Sequence, residues 1–173
     1  IILKRIDLGN VLSGSLKSNL EIFINRNKIH VVENFVEDQF HMSEEELEQK
    51  DYNYLKCFYL GNLMTEKGVF YLLDALKKLK EKKVIFKAKF AGNIDKEIRN
   101  KVTPYFSNFE ELKYLGVIKG EKKKELLLWG NIFIFPSYLI EGFPLSILEA
   151  LSAGNIVVTT KHPAIKDNLD NSN

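Results

Sequence analysis

Apolar residues alternate with polar ones or run together at 28–32, 54–60, 84–91, 112–115, 132–135 and 155–159, a pattern that predicts six β-strands. Between the strands the apolar spacing lengthens to three and four. Leu72, Leu73, Leu76 and Leu79 fall on one face of a helix expected over 67–80, and further helices are expected over 95–106, 121–129 and 144–153. Strand and helix alternate in this way when a parallel sheet is covered by helices on both faces. The expected class is therefore α/β, with a Rossmann-like, doubly wound parallel sheet of about six strands. The stretch 12–27 also reads as helical. Residues 33–51 form a polar, acidic connection in which Ser43 and Glu46 have the spacing of a capping box.

A chain of 173 residues, 45% hydrophobic, can bury one core of ordinary size, which excludes a disordered or fibrous protein. Cys57 is the lone cysteine, so neither an intrachain disulfide nor a thiolate metal cluster is available, and a reducing compartment is the default. The longest uncharged stretch, 126–140, is interrupted by Gly130, Asn131, Pro136 and Ser137, short of the roughly 20 apolar residues a membrane span needs. The chain opens on Ile1 without a charged leader and is read as a piece of a longer protein. Its net charge of +2 conceals a basic middle, because residues 66–125 carry 16 basic and 9 acidic side chains. For Lys77, Lys78, Lys80, Lys82 and Lys83 solvated helix faces are the plainer explanation. The alternative is attraction to a phosphorylated ligand or an acidic membrane surface. Nucleic acid is disfavoured, since the lysines are not interleaved with aromatics or a reading helix.

In an open parallel sheet ligands bind outside the carboxyl ends of the strands, so the strand-to-helix loops carry the candidate chemistry. The loop before the last helix is the most informative. Gly142 permits close backbone approach, and Pro144 stands where a helix begins. The N–H groups of that first turn, at the positive end of the helix dipole, make an anion site suited to phosphate. Glu149 is the only acid on an almost wholly apolar helix, where an unpaired carboxylate is expensive to bury. On pattern alone Ser146, Glu149 and Ser152, three apart, read as the wet stripe of a mostly buried helix. Glu141 precedes a glycine at the sheet's carboxyl edge, where an acid adds nothing to packing, so a functional role is expected. Lys67, in the first turn of a helix, is at the unfavourable end of the dipole and needs another reason to be there. The glycine cradles of nucleotide hydrolases and dinucleotide enzymes are missing, and His30, His41 and His162 lack metal-ligand spacing. Cys57 is expected to be a buried, inert thiol.

The segment Glu141-Gly142-Phe143-Pro144-Leu145-Ser146-Ile147-Leu148-Glu149 resembles the signature of two glutamates separated by seven residues in the retaining group 1 (family 4) glycosyl transferases of the GT-B fold. Phe133 to Ser137, Ala150 to Thr160, Tyr59 to Gly68 and Tyr114 to Ile118 match in order and spacing. The resemblance implies that residues 29–173 are a nucleotide-sugar-binding domain, truncated at its end, from the C-terminal half of such a fold. Residues 1–28 would then be the end of the acceptor domain or a linker. It implies that Glu141 faces the transferred sugar at its reacting centre and that Glu149 holds the ribose hydroxyls. Gly142, Phe143 and Pro144 would form the turn whose backbone amides, along with those of Leu145 and Ser146, contact the sugar and diphosphate. Lys67 would neutralise the departing diphosphate, and Val117 and Ile118 would read the base through backbone atoms. No metal or other cofactor is implied, because lysine and the helix N-terminus do that work. Asn62 stands where the family has an arginine, so one diphosphate cation is replaced by an uncharged donor.

The expected function is the donor-binding part of a transferase moving a hexose from a nucleoside diphosphate sugar to a glycan or lipid-linked acceptor in polysaccharide biosynthesis. The piece is expected to bind its donor without turning it over, in the cytoplasm and at the inner membrane surface. Two alternatives stand beside it. One is a sugar-nucleotide epimerase of the same fold, which would need acid and base groups on both faces of the sugar. The other is a noncatalytic sugar- or nucleotide-binding module, for which Asn62 is the main support.

Overall fold

The computed structural model describes residues 6–139, 141–161 and 165–166, and the chain divides into two compact units. The smaller unit comprises residues 1–35, 140–145 and 161–173. In it, β1 (Gly9–Val11), α1 (Lys17–Glu21) and β2 (Ile29–Val31) follow in order, and β1 pairs with β2 in parallel from Gly9 opposite Ile29 to Val11 opposite Val31. The stretch 12–27 is thus not one helix. Ser13 and Ser15 hydrogen-bond each other through their hydroxyls at 3.0 Å, and Ser18 Oγ donates to the Ser15 carbonyl at 3.2 Å. Such local bonds compete with helix growth, and only five residues of α-helix form before the Asn25-Arg26-Asn27 turn. His162 lies outside the described residues.

The larger unit, residues 36–139 and 146–160, holds the core. It begins with α2 (Glu44–Glu48), whose capping box forms as its sequence predicts: Glu46 N–H donates to Ser43 Oγ at 3.2 Å, and Ser43 N–H donates to Glu46 Oε2 at 2.9 Å. Then come β3 (Leu55–Leu60), α3 (Val69–Glu81), β4 (Phe86–Ala91), α4 (Arg99–Asn108), β5 (Leu112–Tyr114), α5 (Glu121–Trp129), β6 (Ile132–Phe135), α6 (Leu145–Ser152) and β7 (Ile156–Thr159). The sheet is parallel throughout, in the order β5-β4-β3-β6-β7. Among the described residues it has five strands, because the predicted strand at 28–32 pairs instead with β1, whose three residues give no periodic signal. Helix α4 starts four residues later than its apolar pattern suggests, since the Asp95 carboxylate accepts from Glu97 N–H at 2.8 Å and holds the chain in a turn.

Tyr59, Phe58, Phe90, Phe133 and Phe135 are fully buried along the three central strands, with Phe58 and Phe133 rings 5.1 Å apart across β3 and β6. Cys57 lies among them, and burial pushes its thiol up to about 11, so it is inert as expected. Right-handed crossovers put α3 and α4 on one face of the sheet and α5 and α6 on the other. The winding direction reverses between β3 and β6, and that reversal opens the crevice where open α/β sheets bind ligands.

Candidate functional site

The loops leaving β3 and β6 meet at this crevice. Glu66 carbonyl accepts from both Tyr138 N–H (3.0 Å) and Leu139 N–H (3.2 Å), so the two loops are joined by backbone bonds on either side of the switch. Gly68 caps α3 in the left-handed region (φ 73°), and a β-carbon there would lie 2.1 Å from the Pro136 carbonyl oxygen. Only glycine fits that approach. Lys67 therefore precedes the helix rather than opening it. It is half-buried, with its ammonium 5.7 Å from the centre of the Phe135 ring. The loop after β6 is fixed further by Thr159 Oγ1 donating to the Phe135 carbonyl at 2.9 Å and by Thr160 Oγ1 donating to the Ser137 carbonyl.

Asn62 is exposed at the end of β3, its backbone carbonyl accepting from the Tyr59 hydroxyl at 2.7 Å. Val117 and Ile118 lie beyond β5, two strands away from β3, with Val117 64% exposed. Their loop is tied back to the neighbouring one, as Gly92 N–H donates to the Gly116 carbonyl at 2.8 Å and the Tyr114 hydroxyl to the Gly92 carbonyl at 2.8 Å.

Glu149, midway along α6, is buried, and Ser146 and Ser152 flanking it are half-buried, so the stripe is not a wet one. Ser152 Oγ donates to the Phe40 carbonyl at 3.1 Å. Lys123, in the first turn of α5, places its ammonium 2.5 Å from Glu149 Oε1 and 4.3 Å from the centre of the Phe40 ring. A buried carboxylate needs such a partner, and removing one member of a buried pair typically costs about 3–5 kcal/mol. The sequence offered no sign of this pairing, because Lys123 stands in a Lys122-Lys123-Lys124 run that looks solvated. Lys124 does point elsewhere, 2.6 Å from Glu46. A second unforeseen lysine, Lys50, is buried and donates to the Leu127 carbonyl (3.0 Å), the Ala153 carbonyl (2.9 Å) and Asn155 Oδ1 (3.0 Å). It joins the end of α5 to the turn between α6 and β7.

Glu141, Gly142, Phe143, Pro144 and Leu145 belong to the smaller unit. Glu141 is half-buried, and Phe143 is buried with its carbonyl accepting from Asn34 Nδ2 at 2.6 Å. A β-carbon on Gly142 would meet Leu12 Cδ1 at 2.6 Å, so within this unit the turn is pressed against the segment after β1. Pro144 immediately precedes α6, whose first N–H groups, including those of Leu145 and Ser146, lack intrahelical acceptors as in any α-helix. Among the described residues no helix is long and apolar enough to cross a membrane.

Comparison with known proteins identifies the family and supports the fold. The family described as glycosyl transferases group 1 matches residues 40–172. A glycosyltransferase of amylovoran biosynthesis, AmsK of Erwinia amylovora, is 26% identical over 124 residues, covering 68% of this chain and 30% of that protein. Among solved structures, Anabaena Alr3699/HepE in complex with UDP-glucose superposes with a TM-score of 0.78 at 16% identity, covering 98% of this chain and 49% of that one. A glycosyltransferase from Rickettsia africae does so with 0.77 at 23%, covering 99% and 48%. The chain thus spans about half the length of these structural relatives.

Proposed function

The chain belongs to the group 1 glycosyl transferases, and from that premise we propose that it is the donor-binding part of a retaining enzyme moving a hexose from a nucleoside diphosphate sugar to a glycan or lipid-linked acceptor. The observation that carries the reading is the crevice at the β3/β6 reversal, where Lys67 stands on a loop held to its neighbour by the two bonds to the Glu66 carbonyl. In this reading the diphosphate sits there, and the charge it develops on leaving is met by Lys67 and by the N–H groups at the start of α6, Leu145 and Ser146 among them. In this reading they act on the transition state rather than the ground state because the negative charge they meet develops only as the diphosphate departs. Glu141 faces the reacting carbon of the sugar, with Gly142, Phe143 and Pro144 shaping the turn that seats the ring. Glu149 takes the ribose, and the backbone at Val117 and Ile118 the base. Asn62 supplies a hydrogen bond where the family has a second cation, and no metal ion is required. The structural relative in complex with UDP-glucose supports a nucleotide-sugar ligand.

Calorimetry with uridine, guanosine and adenosine diphosphates tests the reading: at least one is expected to bind, and no heat from any at millimolar concentration overturns it. A noncatalytic module is favoured by the uncharged, exposed Asn62, and binding of free sugar without nucleotide would select that reading. The basic segment 66–125 fits a cytoplasmic enzyme resting on an anionic inner leaflet to reach lipid-linked acceptors. Salt-sensitive binding to phosphatidylserine vesicles is expected, and no binding at low salt removes that part.

A further inference from the structure

At the opposite end of the sheet from the crevice, the start of β3, the last turn of α5 and the residues after α2 enclose a cavity of about 430 Å³, wholly within the larger unit. The six residues of β3, rising about 3.3 Å each, separate it from the crevice. Most of the charged groups lining it already have partners. Lys50 commits three N–H groups to two carbonyls and Asn155 Oδ1, Lys56 Nζ donates to the Asp51 carbonyl (3.0 Å) and carboxylate (2.5 Å), and Glu46 is held by Lys124 at 2.6 Å. Three other lining side chains are uncommitted. Among the described residues no hydrogen bond reaches the Trp129 indole N–H, the Gln49 carboxamide or the Glu125 carboxylate. Trp129 is half-buried, and Gln49 and Glu125 are exposed.

This lining selects a class of ligand. A cation would compete for the indole with the Lys89 ammonium, which already lies 3.9 Å from the ring centre. An anion would meet three carboxylates, Glu46, Asp51 and Glu125, against two lysines that have partners. A neutral ring with C–H groups on its face and hydroxyls on its rim suits both constraints, since the indole attracts the C–H groups and the free amide, carboxylate and N–H take the hydroxyls. That is the chemistry of a pyranose. We propose that this cavity is a carbohydrate site for a neutral hexopyranose unit of a glycan, packed against Trp129, with one hydroxyl donating to Glu125 and others bonded to Gln49 and the indole N–H. With the glycan acceptor of the donor-binding reading, the same contact holds a non-reacting part of that glycan on the enzyme and raises its local concentration, a role that rests on that reading. The binding itself does not rest on it.

Trp129 is the one tryptophan of the chain, so its emission reports on this cavity. The test is a fluorescence titration of the 173-residue chain with the methyl glycosides of glucose, galactose and mannose, with methyl glucuronide, and with uridine diphosphate. A saturable change in the millimolar range is expected with at least one neutral glycoside, and a weaker response with the charged glucuronide. Glu125→Ala should weaken glycoside binding about tenfold and Gln49→Ala about threefold, the scale of one lost hydrogen bond to a charged and to a neutral group. Both side chains are exposed, so these variants keep the fold and the reporter. Trp129→Leu, followed by calorimetry, should bind no glycoside and leave any uridine diphosphate binding at its wild-type level. If that variant fails to fold, the two alanine variants carry the test. No change with any neutral glycoside, an equal response to the glucuronide, or binding unmoved in both alanine variants overturns the proposal. Uridine diphosphate that displaces the glycoside overturns it as a separate site. A chain that binds glycoside and no nucleotide supports it and overturns the donor reading alone.

Discussion

Lys50 shows how one side chain can report its surroundings. Its three hydrogen-bond partners are neutral, and burial, helped by the nearby Lys56 charge, pushes its ammonium down from 10.5 to about 8. The folded chain therefore releases this proton earlier than the unfolded chain. Between about pH 8 and 10.5 the unfolded state binds the extra proton, so this group's contribution makes stability rise with pH across that window and stay level below it. Lys50→Met should cost about 1–3 kcal/mol at neutral pH by orphaning buried acceptors, and the deficit should widen as pH rises through the window. Urea titrations of both proteins across that range check it, and a deficit that ignores pH refutes it. Lys67 makes a different prediction. Lys67→Ala should weaken diphosphate binding about tenfold or more while leaving nucleoside binding near wild type, because only the diphosphate needs the charge, and equal losses in calorimetry would refute its role. Neither Lys50 nor Lys123 could be found from sequence. Each depends on a neighbour distant in the chain, whereas Glu141 stands out locally as an acid where packing has no use for one, and Glu149 through the resemblance of its segment to a known signature.

At the level of elements, the strands and long helices were legible because their burial repeats with a period. Helix α5 spans 121–129 as its pattern predicts, and each central strand falls within its apolar run. What could not be read is where local chemistry cuts the period short, as at the serines and asparagines of 12–27 and at Asp95. The capping box of α2 was visible because both partners lie within four residues. Ser43→Ala should therefore lower stability by about 1 kcal/mol, measured by thermal or urea unfolding, and Ser43→Asn should not. Gly68 is the harder constraint. Gly68→Ala forces a side chain into the left-handed region and against the Pro136 carbonyl, 2.1 Å from the new β-carbon. A loss of about 2 kcal/mol or more is expected from strain and displaced backbone together, with donor affinity falling as Lys67 shifts. Gly142→Ala meets only the tip of the flexible Leu12 side chain and should cost less. Equal losses from the two alanines would show that backbone crowding is not the deciding term.

For the whole molecule, the proposed donor site predicts that the 173 residues retain a radiolabelled nucleoside diphosphate sugar, and no retention of label at millimolar donor would refute that expectation. A nucleoside diphosphate at 100 times its Kd should add about 2.7 kcal/mol to unfolding, visible as a raised Tm.

The strand order also governs the sequence of events while the chain is being made. β3 can pair with β4 as soon as residue 91 has left the ribosome, but its other edge must wait for β6, since Cys57 is paired with Ile132. Throughout the synthesis of the residues between, this central and largely buried strand offers an open row of amides and carbonyls to any passing chain. Translational stalling before Phe135 has left the ribosome is where nascent chains should aggregate, and a pause after it has emerged should be harmless by comparison.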